Sequence, residues 1–192
     1  MSATIPQQKG ALRKEVLERL KRLDRTQRLT ASEQACALLE QQQIWRNSRS
    51  VLLYGPMAGE LDVWPLLGKA LAAGKVAALP RFTPETGRYV ACAITNPAAE
   101  VKPGYLGIRE PLENCPEVSL NRLDLVLVPG VAFDLHGRRL GRGKGFYDQI
   151  LAAVRGTTCG VAFEEQLVRQ VPVEPHDALL NCLLTPARWV QQ

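Results

Sequence analysis

From Leu125 to Leu151 the chain reads LVLVPGVAFDLHGRRLGRGKGFYDQIL, an order of residues that few folds can accommodate. Four apolar residues, Leu125 to Val128, stop at Pro129-Gly130, as a buried strand does where it meets a turn. Asp134 to Gly137 supply a second, polar turn. Three alternating glycines follow, Gly141, Gly143 and Gly145, with Arg139 just before them and Arg142 and Lys144 between them. From Phe146 the pattern becomes helical, because Phe146, Ile150, Leu151 and Val154 recur on roughly one face. The order is therefore strand, basic glycine-rich loop, helix start.

That order suits an anion. Glycine lets backbone N–H groups approach a ligand closely, and a helix N-terminus presents unpaired N–H groups with partial positive charge. Three cationic side chains added there favour a polyphosphate. The loop is not a Walker A sequence, since Lys144 is followed by Gly145, and its spacing is not the dinucleotide fingerprint G-x-G-x-x-G. Chemistry alone leaves two other readings open: a flexible basic loop, or an RNA-binding arginine-glycine tract. Asp148 suits the first turn of a helix on dipole grounds, and equally a magnesium ion held beside phosphates.

The string PGVAFDLHGRRLGRGKGFYD resembles the signature of the 5-formyltetrahydrofolate cyclo-ligase family, also called 5,10-methenyltetrahydrofolate synthetases. The glycine loop of that family reads G-x-R-L-G-R-G-K-G-[YF]-Y-D, matched from Gly137 to Asp148. Three weaker strings agree: K-x-x-x-R at Lys9 and Arg13, G-I-x-E-P from Gly107 to Pro111, and V-P-x-E-x-x-D with an apolar strand and T-P from Val171 to Pro186. Phe146 departs from the commoner tyrosine, keeping ring packing and losing a hydroxyl.

The resemblance implies closure of 5-formyltetrahydrofolate to 5,10-methenyltetrahydrofolate, driven by ATP and dependent on Mg2+. It implies that Lys9, Arg13, Arg139, Leu140, Gly141, Arg142, Gly143, Lys144, Gly145, Phe146 and Tyr147 hold ATP, with Arg142 and Lys144 catalytic. Glu60, Tyr105 and Ile108 would contact the folate, and Asp148 and Asp177 the metal. Pattern alone reads some of these positions differently. Lys9 and Arg13, at i and i+4 on one helical face, also suit a solvated surface. Glu60 suits an acid near a helix start, and Asp177 a turn aspartate. His176 is read as a loop histidine with no role.

The remaining chain alternates strands with helices. A helix is expected over Lys9 to Leu23, and a second opens at a capping box, Thr30-Ala31-Ser32-Glu33, and closes at Asn47-Ser48. Val51 to Tyr54 reads as a strand, and Asp62 as the N-cap of a helix with Pro65 in its first turn and Gly74 at its stop. Strands are expected at Val76 to Leu79 (ending at Pro80-Arg81), Arg88 to Ile94, Thr158 to Phe163 and Leu179 to Leu184, with a short helix or turn from Glu164. Pro103 to Pro111 reads as loop. The class is α/β: a single three-layer domain spanning 1–192, with a mixed or mainly parallel sheet flanked by helices.

Five cysteines lack C-x-x-C spacing and only two histidines are present, which argues against zinc and for reduced thiols in the core. The start of the chain lacks the apolar segment of a secretory signal. A cytoplasmic monomer is expected, acting on 5-formyltetrahydrofolate (polyglutamylated or not) and ATP, without nucleic-acid or membrane partners. The net charge of +5 fits anionic ligands and decides nothing by itself. Two rivals stand beside this reading: RNA binding through the Arg142–Phe146 cluster, and a folate-binding module without turnover.

Overall fold

The structure, a computed structural model, describes residues 3–175 and 177–192; His176 lies outside the described residues. The elements in chain order are α1 (Ile5–Lys21), α2 (Arg25–Gln41), α3 (Gln43–Asn47), β1 (Ser50–Leu52), α4 (Trp64–Ala72), β2 (Val76–Thr83), β3 (Arg88–Ile94), α5 (Pro97–Glu100), β4 (Val101–Pro103), β5 (Arg109–Pro111), β6 (Glu117–Val118), β7 (Leu125–Val128), β8 (Ala132–Phe133), β9 (Arg139–Leu140), α6 (Phe146–Ala153), β10 (Thr157–Val161), β11 (Cys182–Leu184) and β12 (Trp189–Gln191). Eight strands form one sheet in the order β12-β11-β10-β7-β1-β2-β3-β6. The five central strands are parallel, and β12, β3 and β6 join antiparallel at the two sides.

The sheet is mixed because its two kinds of connection differ in length. Helical crossovers return the chain parallel, whereas the Thr83–Gly87 turn reverses it directly. The central strand β7 is buried on both faces along its whole length, as a strand covered by two layers must be. Alternate residues serve opposite layers. Val51, Leu125 and Leu127 pack with Val16, Leu39 and Leu66 of α1, α2 and α4, while Leu52, Val126 and Val128 pack with Ile150 and Leu151 of α6. Full burial of each such side chain contributes about 1.5–3 kcal/mol. All five cysteines are free and buried.

Several expected boundaries are corrected. The second helix does not open at Thr30: its box is Asp24-Gln27, with Asp24 Oδ1 accepting the Gln27 N–H at 2.8 Å and Gln27 Oε1 accepting the Asp24 N–H at 2.9 Å. Thr30 to Glu33 lie inside α2, where Ser32 Oγ donates to the Arg28 carbonyl and accepts the Asp62 N–H. The first helix starts at Ile5 rather than Lys9 and ends at Lys21. Asp62 does accept the Trp64 N–H at 2.9 Å, although Val63 holds the cap position. Gly74, at φ +70°, stops α4 as expected.

β2 does not end at Pro80. It continues to Thr83 because β3 pairs with it throughout, Pro80 opposite Ala91 and Phe82 opposite Tyr89. The Ala78 carbonyl accepts from Leu53 on the β1 side. Pro80, two residues on, therefore directs its missing N–H to the side that β1 has left, where no ladder bond is lost. The expected loop from Pro103 to Pro111 is instead a small hairpin, β4 with β5, turned through a 3-10 segment at Tyr105–Gly107. The terminal strand is β11, shorter than expected, and β12, which the sequence reading missed, folds back on it.

Candidate active site

The loops that leave the parallel strands at one edge of the sheet enclose a cavity of about 210 Å³. Tyr54-Gly55 after β1, Pro80 of β2 and Pro129-Gly130 after β7 all line it. β2 and β7 flank β1 on opposite sides, and α4 and α6 lie on opposite faces. The strand order thus reverses at β1, the place where open α/β sheets leave a crevice for ligands.

One wall is the glycine loop. Arg139 and every residue from Gly141 to Asp148 reach the cavity, and the loop runs directly into α6. Gly143 and Gly145 hold φ of +89° and +72°, a left-handed backbone that glycine adopts without strain. Leu140 does not line the cavity; it is buried, and with Ala132 it pairs the small hairpin that presents Arg139.

Of the cations expected to meet phosphate, Arg139, Arg142 and Lys144 line the cavity while Arg13 and Lys9 stand outside its lining, and most of them are already partnered. Arg139 is buried, donating through Nη2 to Asp148 Oδ1 at 2.5 Å and through Nη1 to the Pro129 carbonyl at 3.2 Å. Burial pulls its pKa down, opposed by Asp148, and a guanidinium stays charged regardless. Arg142 Nε donates to Glu60 Oε1 at 3.2 Å, and Glu60 Oε2 accepts the Met57 N–H at 2.9 Å. From α1, Arg13 Nε donates to the Gly141 carbonyl at 2.8 Å. One turn earlier, Lys9 Nζ donates to Asp177 Oδ2 at 2.7 Å and Glu174 Oε2 at 2.8 Å. Burial lowers the Lys9 pKa, but the two carboxylates outweigh it and the net shift is upward. Lys144 is exposed and, among the described residues, has no ion pair.

Asp148 touches Arg139, and the charge of Asp177 also acts on Arg139. Among the described residues no three His, Cys, Asp or Glu side chains converge as a metal cage. One or two carboxylates beside a phosphate site fit a magnesium ion that arrives on phosphate oxygens, rather than one held by protein alone.

An aromatic cluster adjoins the cavity: Tyr89 and Phe146 line it, whereas Phe82 and the expected folate contact Tyr105 stand behind them, outside the lining. Phe82 and Tyr105 stack with centroids 4.3 Å apart, and Phe146 meets Phe82, Tyr89 and Tyr105 edge-on at 5.7, 5.1 and 6.2 Å. Ile108 lines the cavity beside Gly55, where a Cβ would come within 2.9 Å of Ile108 Cγ2. Tyr105 packs on the ring cluster. Tyr147 Oη is buried in the wall with no hydrogen-bond partner among the described residues, and burial raises its pKa, so it stays a neutral donor.

Sequence reading missed four supports of this site. Phe82 and Tyr89 complete the ring cluster, a signal visible only once β2 and β3 are in register. Asp134 is buried and accepts from the N–H groups of His136, Arg138 and Val171, tying the Arg139 hairpin to the loop that carries Asp177. Gln166 donates to the carbonyls of Gly130 and Val131, fixing the turn after β7. The links from Asp134 to Val171 and from Gln166 to Gly130 and Val131 join residues far apart in the chain, so no local motif marks them.

Comparison with known proteins identifies the family. Residues 5–186 match the profile of the 5-formyltetrahydrofolate cyclo-ligase family. The chain is 30% identical to a 5-formyltetrahydrofolate cyclo-ligase of Mus musculus, covering 95% of this chain and 96% of the relative. It is 35% identical to the protein of that name from Escherichia coli K12, over 73% of this chain and 80% of the other. The solution structure of an Aquifex aeolicus 5,10-methenyltetrahydrofolate synthetase superposes with a TM-score of 0.86 at 34% identity, over 95% of this chain and 92% of that one.

Proposed function

The chain belongs to the 5-formyltetrahydrofolate cyclo-ligase family, and we propose that it closes 5-formyltetrahydrofolate to the 5,10-methenyl form at the expense of ATP. The observation that carries this reading is a cavity lined by cations and a glycine loop that runs into a helix, with Tyr89 and Phe146 of an aromatic cluster on the same lining. The cations and glycine amides suit a triphosphate, and the rings suit a pterin.

The chemical obstacle is the leaving group, because a formamide oxygen does not depart readily from carbon. Transfer of the γ-phosphoryl group to that oxygen releases ADP and converts the oxygen into part of a phosphate ester. The N10 amine then attacks the activated carbon and loses its proton. Cleavage of the carbon–oxygen bond expels inorganic phosphate and leaves the methenyl bridge. None of these steps needs a protein nucleophile; they need alignment and charge neutralisation. Arg13 and Lys9 orient the nucleotide from α1, while Arg139 and Arg142 approach it from the loop. Lys144, which has no ion pair among the described residues, meets the γ-phosphate and stabilises the charge that develops in transfer. Glu60 orients the pterin, and Tyr105 and Ile108 wall it. Asp148 and Asp177 would hold magnesium, which when bound neutralises phosphate charge.

Isotope transfer tests the sequence of bonds. With 18O in the formyl group, the label should appear in the released phosphate, one atom per turnover. Label found in water or retained in folate would contradict phosphorylation at that oxygen.

A further inference from the structure

Where β1 ends at Leu52, β2 continues alone on that side. Its next residue facing the gap, Pro80, has no N–H to offer, but Phe82, two residues further, does. That N–H donates to Glu110 Oε2 at 3.1 Å. The backbone N–H of Tyr105, across the hairpin to which Glu110 itself belongs, also favours the charged form of this carboxylate. One side chain therefore closes the open ladder of β2 and fixes the tip of the 101–111 hairpin.

The surroundings hold that carboxylate tightly. Glu110 is 4% exposed, and its other oxygen, Oε1, has no hydrogen-bond partner among the described residues. Gly104 lies so close that a Cβ there would stand 2.5 Å from the Glu110 carboxyl carbon. A buried carboxyl without an ion-pair partner is costly for stability. Burial pushes its pKa upward against the backbone N–H groups of Phe82 and Tyr105, with Arg81 and Lys102 acting from a distance. The hairpin so held carries Tyr105, stacked on Phe82, and Ile108, on the cavity wall.

We propose that Glu110 is a positioning residue for the folate side of the site: it latches the hairpin to β2 and so sets where Tyr105 and Ile108 stand. The inference rests on the reading of the aromatic side as the folate pocket. It separates two affinities, because the Phe82 N–H that Glu110 accepts lies in β2, away from α1 and the loop cations, and the glycine loop meets the hairpin through the Phe146 ring.

Calorimetry on the full chain tests it, with 5-formyltetrahydrofolate and a non-hydrolysable ATP analogue with magnesium titrated separately. Glu110→Ala should weaken folate binding about tenfold, the effect of losing a buried hydrogen-bonded anchor, and leave nucleotide affinity within about twofold. Glu110→Gln keeps an acceptor for the Phe82 N–H and should bind folate as the wild type does. If the alanine variant does not fold, Gly104→Ala displaces the latch without removing it and should show the same selective loss. Unchanged folate affinity in the alanine or Gly104 variant overturns the proposal, as does equal loss of both ligands. Wild-type protein that binds nucleotide but no folate overturns the pocket assignment, and the latch with it.

Discussion

Lys144 differs from its neighbours in being exposed and, among the described residues, unpaired, while Arg139, Arg142 and Lys9 each hold a carboxylate. A cation with no partner to give up can respond to charge that appears only during phosphoryl transfer. Lys144→Ala should therefore lower kcat at saturating ATP by about a hundredfold, the usual effect of deleting one donor to developing charge. Steady-state kinetics at varied ATP check this, and a change confined to KM would assign Lys144 to ground-state binding. Residues of this kind were legible in the sequence, because glycines and cations in alternation have few other uses beside a helix start. Glu110 was not. Its meaning depends on β1 ending before β2, a fact of pairing between residues far apart in the chain.

At the scale of elements, α1 shows how a helix serves two loops at once. Lys9 and Arg13 lie one turn apart, and they reach the Glu174–Asp177 loop and the glycine loop respectively. The free protein thus pairs two of its phosphate-side cations, Lys9 and Arg139, with the acids expected to hold the metal. Metal-free ATP would have to displace those acids and then sit beside them, whereas a magnesium ion arriving with the nucleotide gives them a new partner. Asp148→Asn should accordingly tighten ATP binding in EDTA by about fivefold, the worth of one exposed charge interaction, and shrink the gain from added magnesium. Calorimetry with and without EDTA measures both, and equal weakening in the two conditions would contradict the exchange. Helix boundaries were only partly legible. Thr30-Ala31-Ser32-Glu33 has the letters of a capping box, yet the reciprocal hydrogen bonds form at Asp24 and Gln27, and the helix they start passes through the false one. The hairpin of β4 and β5 was hidden by prolines and glycines that read as loop, because short edge pairs tolerate both.

For the molecule as a whole, the order of the sheet places the cavity. Reversal of direction at β1 opens a crevice, and β7 and α6 bring the glycine loop to it while the β2–β3 pair brings the rings. The α/β class was legible because buried runs such as Leu125–Val128 alternate with helical spacing. The antiparallel margins were not, since β3, β6 and β12 owe their direction to turns and to neighbours rather than to their own residues. Catalysis in this account belongs to the assembled cavity, where a nucleotide and a folate lie in line, and one measurement tests that claim most directly. Absorbance of methenyltetrahydrofolate is followed after protein, ATP, magnesium and 5-formyltetrahydrofolate are mixed. The account predicts growth of the methenyl band that requires ATP and stops when EDTA removes magnesium. A flat trace from folded protein that binds both ligands would contradict it.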